Sequence, residues 1–589
     1  SNYLGNINMY DQETETLHDI MAYPASNLGK KAIEHQYRFN WNAPVLHNPQ
    51  EANLIYHGAN HLLASKDNGI SWQEISPDLT RNERTKQDLG GFPFTNEGAG
   101  AEVYNTISYL ACSKFNKDEI WVGTDDGLIH ITHDGGQSWD NITPPSLPEA
   151  FINSIEVSIH QPGTAFIVAY RYKFNDLKPY LYQTTDYGKH WKTITKGLPQ
   201  NFGRVLRQDP VNPDILYLGM ENGMFVSFNQ GNNWHPFQLD LPVCSITDIL
   251  IKNKDLVVAT AGRGIWILDD ISPIQQSGGS IEDETLRLFQ PMACVRHQRE
   301  EPAFSDTYLG ENPSCGLALD YHLPESKVEM PLILSIYNEA GELVRHFKSE
   351  KDSLQIEYHN SKPLLPKLRG VNRFHWNLRG ASLPGINGQQ TTGDYRGSIV
   401  PPGEYTIKLS NGVSFSEQKV IIKPDSRIPL EWTDYKKQAD LLAQVEGELR
   451  DIHSAVNKVQ VVQNQINILV DFLEKSEEHK ELVEKGTTVI IKIEQWKEKI
   501  IQTNWQSNQD FINYPGKLNA DFLDLKQRLD KTFPMITEGM QTRVIDLKTE
   551  WKSHKAIIKD ILESDVTEFN RIFKEKNIPA LILPSVNAF

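Results

Sequence analysis

The chain has 589 residues, enough for about three or four domains with cores of their own. Its 59 Lys and Arg are outnumbered by 76 Asp and Glu, and the net charge of −17 argues against a nucleic-acid backbone or an anionic membrane as the main partner. The 12 Trp suit a β-rich chain of anchored hairpins, no apolar run reaches the roughly 18 residues of a membrane span, and 4 Cys exclude a disulfide scaffold.

The opening residues, Ser1-Asn2-Tyr3-Leu4-Gly5, lack the charged and apolar regions of a signal peptide. Tyr3-Leu4-Gly5 and Asn8-Met9-Tyr10 read as middle strands of a repeat whose inner strand is absent. An eight-residue motif, Ser/Thr-x-Asp-x-Gly-x-Ser/Thr-Trp, then sets the architecture to about residue 270. Its copies run from Ser65 to Trp72, Thr132 to Trp139 and Thr184 to Trp191, with a degraded copy from Ser227 to Trp234. Asp67, Asp134, Asp186 and Asn229 are placed to accept bonds from turn N–H groups, and the glycine supplies a φ > 0 position. Trp72, Trp139, Trp191 and Trp234 open the next strand with a large apolar anchor, so each motif predicts a self-stapled hairpin. A buried strand ending in a small residue precedes each copy: Leu54 to Gly58, Ile120 to Gly123, Phe166 to Ala169 and Leu216 to Gly219. A fifth, Leu256 to Ala259, leads to Gly264-Ile265-Trp266-Ile267-Leu268-Asp269-Asp270 without a motif after it. The spacing predicts β-propeller blades over residues 1–274, about five plus a remnant. Such a ring leaves raw sheet edges, so a missing N-terminal region or a second chain is expected to complete it.

Gln275 to Ser280 opens a Gly/Ser-rich linker over 275–285. Residues 286–425 alternate in strands such as Leu317 to Tyr321, Leu332 to Tyr337, Gly370 to Trp376 and Gly403 to Leu409, which predicts an Ig-like β-sandwich. Within it, Cys294 and Cys315 form the one pairing worth testing against unpaired thiols. From 426 to 584 the period changes. Leu442, Val445, Leu449, Ile452, Val456, Val459, Gln463, Ile466, Val470 and Leu473 step by three and four along one long helix. Shorter runs from Val489, Leu518 and Val544 add three more, for an antiparallel bundle. Gln463 and His554 fall at seam positions, where a satisfied core polar residue is expected. The fold class is therefore multidomain and mainly β, followed by an α-helical bundle.

The first 270 residues resemble the BNR/Asp-box propellers of bacterial sialidases, xyloglucanases and sortilin. Trp72 to Thr80, Gly123-Thr124-Asp125-Asp126-Gly127-Leu128, Pro179 to Gly188 and Gly264 to Asp270 are of the type found in a Bacteroidota-type, sortilin-like "glycosyl hydrolase" family. Val400-Pro401-Pro402-Gly403-Glu404-Tyr405 resembles an Ig-like domain also found in flagellar hook-capping proteins, and Tyr514-Pro515-Gly516-Lys517-Leu518 resembles the family's helical tail. The resemblance implies an exported periplasmic, cell-surface or secreted protein with a longer N-terminal half. It also implies that Asp67, Asp134 and Asp186 lie on the periphery, away from a central pocket.

A glycosidase needs two carboxylates across a cleft. Candidates are Asp125, Asp126, Asp269 and Asp270, with Glu97 and Glu102 behind them; for Asp125 and Asp126 a turn-capping role competes. A sialidase would draw its substrate-carboxylate site from Arg171, Arg204, Arg207 and Arg263. His57 and His61 flank a strand, so shared ligation is not expected, and no metal or cofactor is predicted because phosphate-loop and nucleophile-elbow patterns are absent. Three modules in series favour a cell-surface scaffold that recognises a glycan or protein ligand. The alternative is a glycoside hydrolase of xyloglucanase or sialidase-like type.

Overall fold

A computed structural model describes residues 3–27, 29–95, 103–279, 285–297, 312–350, 363–387, 393–474, 477–507, 509–576 and 578. Glu97 and Glu102 lie outside these residues. The chain divides into two units, Ser1–Ile281 and Glu282–Phe589.

The first unit is a succession of small antiparallel sheets, each formed by consecutive strands. Sheet I joins Val45–His47, Ile55–Gly58, Leu62–Ser65 and Gln73–Glu74; sheet II joins Ile107–Cys112, Ile120–Thr124, Ile129–Thr132 and Asp140–Asn141. Sheet III joins Phe151–Val157, Ala165–Arg171, Asp176–Thr184 and Lys192–Thr193, and sheet IV joins Gly203–Gln208, Leu216–Met220, Gly223–Ser227 and His235–Pro236. Sheet V has three strands, Ile246–Lys252, Asp255–Thr260 and Ile265–Leu268. A two-stranded hairpin, Asn8–Asp11 with Thr16–Asp19, precedes them. Tyr3–Gly5 is a 3-10 turn rather than the expected strand, because Leu4 takes a left-handed φ of 63° that extended pairing does not allow.

The second strands are apolar on both faces because each is sandwiched. In sheet II, Ile120 and Val122 pack with Leu54, Tyr56 and Leu62 of sheet I, while Trp121 packs with Ile152, Ile155 and Ile167 of sheet III. The small residue ending the second strand is explained by the next sheet's first strand. A Cβ on Gly123 would stand 2.4 Å from Ile152 Cγ2, one on Gly219 2.6 Å from Ile246 Cγ2, and one on Gly58 2.8 Å from Ile107 Cγ2.

The motif turns do more than close hairpins. Thr132 Oγ1 accepts the Gly136 N–H at 3.0 Å, Asp134 Oδ1 accepts the Ser138 N–H at 2.9 Å, and Asp134 Oδ2 accepts the Ser138 hydroxyl at 2.6 Å. The same bonds recur around Asp67 and Asp186, and Asn229 keeps the one from the Asn233 N–H. Each Trp then reaches back to the preceding element: Trp72 Nε1 donates to Ile20 O, Trp139 to Ile75 O, Trp191 to Ile142 O and Trp234 to Ile194 O, all within 2.7–3.0 Å. The expectation of a hairpin stapled to itself is thus half of the picture. The indole staples one sheet to the one before it.

Where composition suggests a linker, the chain forms helix α1 (Ser272–Ser277). Gln275 is buried and its amide donates to both carboxylate oxygens of Asp209, at 3.1 and 3.0 Å, which anchors the end of the unit on sheet IV.

In the second unit a three-stranded sheet (Arg287–Leu288, Leu317–Leu323, Gly370–Trp376) faces a five-stranded one whose order is Cys294–Val295, Phe415–Lys423, Gly403–Ser410, Ile333–Tyr337, Leu343–Lys348. Their inward residues, among them Leu319, Tyr321, Ile336, Trp376 and Ile407, form one core. All four cysteines are free thiols, Cys294 and Cys315 included. The helices are α2 (Trp432–Leu473), α3 (Lys480–Ile500), α4 (Leu518–Leu529), α5 (Glu538–Asp560) and α6 (Val566–Glu575), the last two joined by a π-helical turn, Ile561–Asp565. The seam residues read from α2 are buried as expected except Val470, which is half-buried, and Gln463 bonds Glu494 and Lys497 of α3. His554 is half-buried on α5, where its backbone carbonyl accepts the Trp496 indole.

Sandwich and bundle interlock through residues 377–387 and 393–400. Asp530 takes the Arg379 guanidinium on one oxygen and the Ile399 N–H on the other, and all three residues are buried. His453 of α2, fully buried, is held between Pro384 O at 2.7 Å and Asn519 Oδ1 at 2.6 Å, with Tyr395 stacked 5.4 Å away.

Candidate functional site

In an antiparallel sheet, the turn after the second strand and the turn after the third lie at opposite ends. Asp125 and Asp126 follow the second strand of sheet II; Asp269 and Asp270 follow the third strand of sheet V. The four sequence candidates are therefore split between the two ends and do not converge. Asp270, at φ 53°, accepts the Ser272 N–H at the start of α1. The motif residues Asp67, Asp134, Asp186 and Asn229 share that end with Asp269 and Asp270, engaged in their own turns.

Asp125 and Asp126 form a buried knot. Asp125 accepts the Thr106 N–H at 2.9 Å and the Thr106 hydroxyl at 2.7 Å, with the Asn40 amide 3.4 Å away. Asp126 accepts the Asn105 amide at 2.6 Å, the Arg81 N–H at 2.8 Å and the Thr124 hydroxyl. Burial raises both carboxyls above their ordinary range, and for Asp125 the adjacent Asp126 charge adds to it. Next to the knot, Asp78 binds Arg38 at 2.6 Å and Asn60 at 3.0 Å. These bonds tie residues 38–40 and 78–81 to sheet II.

Sheet IV carries the counterpart of Asp125 in accessible form. Gly123 and Gly219 are equivalent, each closing on an Ile of the next sheet, and two residues further on stand Asp125 and Glu221. The Asp125 N–H donates to Thr106 O and the Glu221 N–H to Phe202 O, the residue before the first strand in both cases. Yet Glu221 keeps 36% of its side chain exposed; Oε2 accepts Arg204 Nε at 2.6 Å and the Ser245 hydroxyl at 2.8 Å. The signal in the sequence is the alignment of Met220-Glu221-Asn222-Gly223 with Thr124-Asp125-Asp126-Gly127.

Beside Glu221 lies an aromatic stack. Phe151 and Tyr170 are parallel at 4.9 Å, Tyr172 lies 5.0 Å from Tyr170 and 5.4 Å from Phe202, and the Arg204 guanidinium covers Phe202 at 5.3 Å. Tyr170 and Phe202 are buried, whereas Tyr172 is 41% exposed. Deeper along the first strands, Arg207 bridges Asp248 at 2.7 Å and Glu156 at 3.7 Å. Burial pushes the Glu156 carboxyl up to about 7 against the pull of Arg207. Arg171 pairs with Asp176. Three of the four arginines considered for an acidic sugar are thus neutralised by their own carboxylates, and the fourth, Arg263, is on the exposed turn before the last strand of sheet V.

His57 is fully buried between Phe39 and Trp72, and burial lowers its pKa to about 4. His61 instead bonds the Ser76 carbonyl, so the two rings share no site. Among the described residues no group of three or more His, Cys, Asp or Glu is arranged to hold a metal, and no helix is long and apolar enough to cross a membrane.

No family model matches the chain. It is 25% identical over 293 residues to a probable oligoxyloglucan-reducing end-specific xyloglucanase of Neosartorya fischeri, covering 42% of this chain and 34% of that protein. It is 22% identical over 218 residues to the oligoxyloglucan-reducing end-specific xyloglucanase of Emericella nidulans, covering 28% and 26%. The chain thus spans about a third or less of the curated relatives it matches. Among solved structures, the GH74 xyloglucanase of Xanthomonas campestris aligns at 13% identity over 69% of this chain and 66% of that one, with a TM-score of 0.30.

Proposed function

We propose that this chain is part of an exported glycoside hydrolase of xyloglucanase type. The observation that carries the reading is the 25% identity across 293 residues with a xyloglucanase. It favours the hydrolase, the alternative from the sequence, over the scaffold that three serial modules suggested. The sialidase variant loses support because Arg171, Arg204 and Arg207 are spent on Asp176, Glu221, Glu156 and Asp248. The consecutive sheets are read as propeller blades, completed into a ring by further chain; exposed Leu250, Ile265 and Ile267 on sheet V, at 56%, 71% and 59%, are the faces such a neighbour would cover.

Glu221 is an accessible carboxylate at the end of the sheets where Asp125 also lies, in the position equivalent to Asp125, and we assign it the first place among acid–base candidates. The test is release of reducing sugar from xyloglucan oligosaccharides by the full-length protein. Glu221→Gln is expected to lower kcat by about 100-fold or more with the melting temperature unchanged. A full-length protein without turnover on xyloglucan or other glucans would overturn the hydrolase reading; turnover that survives Glu221→Gln would remove only Glu221.

A further inference from the structure

The turn that follows the second strand of sheet III is unlike its counterparts. In place of a short polar turn it carries Tyr172, Lys173 and Phe174 on a 3-10 turn closed by Asn175, whose N–H donates to Tyr172 O at 2.9 Å and whose φ is 56°. The base of the turn is fixed by Arg171, which donates to Glu149 O at 2.8 Å and pairs with Asp176, itself the acceptor of the Tyr180 hydroxyl at 2.6 Å. Two large rings stay exposed on this anchored turn, Tyr172 at 41% and Phe174 at 38%. Neither is isolated: Tyr172 is backed by Tyr170 and Phe202, and Phe174 meets Phe94 edge-on at 5.3 Å beneath the Arg171 guanidinium at 5.1 Å. Holding exposed rings in fixed orientations forfeits the burial that would otherwise stabilise them, and their supports define a preformed surface.

We propose that Tyr172 and Phe174 form a sugar-stacking shelf for a neutral, β-linked glucan chain, with Arg204 and Glu221 as its hydrogen-bonding rim. Glucose in β-linkage presents flat C–H faces to an aromatic ring and equatorial hydroxyls to the side, so alternating rings and planar polar groups match it. The charge argument selects neutral sugars. Arg204 is balanced by Glu221 and Arg171 by Asp176, while Lys173 sits over the Phe94 ring at 5.0 Å, so the shelf offers no unpaired arginine to a uronate or sialate. The inference rests on the glycoside-hydrolase reading for its ligand class, but binding and turnover are separable.

The experiment is titration of the full-length protein with xyloglucan-derived and cello-oligosaccharides, with oligogalacturonate as the acidic comparison. Tyr172→Ala and Phe174→Ala change exposed side chains, and near-unchanged melting temperatures will show that the fold persists. Neutral oligosaccharide binding is expected to weaken at least about tenfold in the double variant and to return with Tyr172→Phe, which keeps the ring and removes the hydroxyl. Binding in the double variant within about twofold of the parent, preference for oligogalacturonate, or failure of the parent to bind any neutral oligosaccharide would overturn the shelf. Turnover with unaltered affinity in the double variant removes the shelf and leaves the hydrolase; binding without turnover removes the hydrolase and leaves the shelf.

Discussion

At the scale of single residues, the motif aspartates are electrostatic fasteners. Hydrogen bonds from Ser71, Ser138 and His190, from side chain first and then backbone, hold the carboxyls of Asp67, Asp134 and Asp186 down at about 2, against an ordinary 3.8. A carboxyl whose folded-state pKa is depressed contributes stability above the unfolded value and loses it as pH falls through the folded one. The first unit is therefore expected to lose stability progressively between about pH 4 and pH 2. Asp134→Asn should melt below the parent at pH 7, with the gap narrowing below about pH 3; an equal gap at both pH values would contradict the assignment. The indoles act through burial. Trp234 is 2% exposed, so Trp234→Ala should cost about 3–5 kcal/mol. Trp139 is only half-buried and Trp139→Ala should cost less, a ranking that denaturant titration of the two variants checks. The degraded motif thus carries the better-buried anchor.

At the scale of elements, stability resides between sheets. A second strand such as Ile120–Thr124 gives its even and odd side chains to two different neighbours, so the unit of packing is the sheet pair. Gly123 is a point of close approach between sheets II and III, and Gly123→Ala drives a methyl into Ile152. The expected cost is about 1–3 kcal/mol. Combining it with Ile152→Ala should recover part of that cost, since the two positions share one space; strictly additive denaturant midpoints would mean that the close approach is not what excludes a side chain. The same junction geometry makes Asp125 and Glu221 equivalent while their surroundings make them differ. Thr106 and Asn40 cover the first, and Arg204 leaves the second open.

At the scale of the molecule, the second unit joins a sandwich and a bundle that the sequence presents as separate domains. Asp530 is the tie, with Arg379 and the Ile399 N–H on its two oxygens and Lys526 Nζ, fully buried, 3.7 Å away. Removing one partner of a buried pair strands the other, so Asp530→Ala is expected to cost about 3–5 kcal/mol. Calorimetry should show the melting of sandwich and bundle falling together. A variant in which the bundle alone melts early would show that the Arg379 and Ile399 bonds to Asp530 do not couple the two.

Local chemistry was enough to read the parts that repeat. The motif turns, the paired small residue before each, the alternation of the sandwich strands and the three-four spacing of α2 all depend on neighbours in sequence, and each is found where the spacing puts it. The placement of Tyr3–Gly5 and α1 was not legible, because a left-handed Leu4 and the docking of Gln275 on Asp209 are decided by contacts, not composition. The candidate site was the least legible. An Asp-Asp-Gly turn looks like an exposed pair of carboxylates, but only the tertiary structure shows Thr106, Asn105 and Arg81 closing over it. Glu221 is marked only by its alignment with Asp125, and the ring of Tyr172 carries no motif of its own. They come together because successive sheets bring the starts of their first strands and the ends of their second strands to one side. A charge or a ring becomes a site only when distant segments leave it exposed and hold its neighbours still.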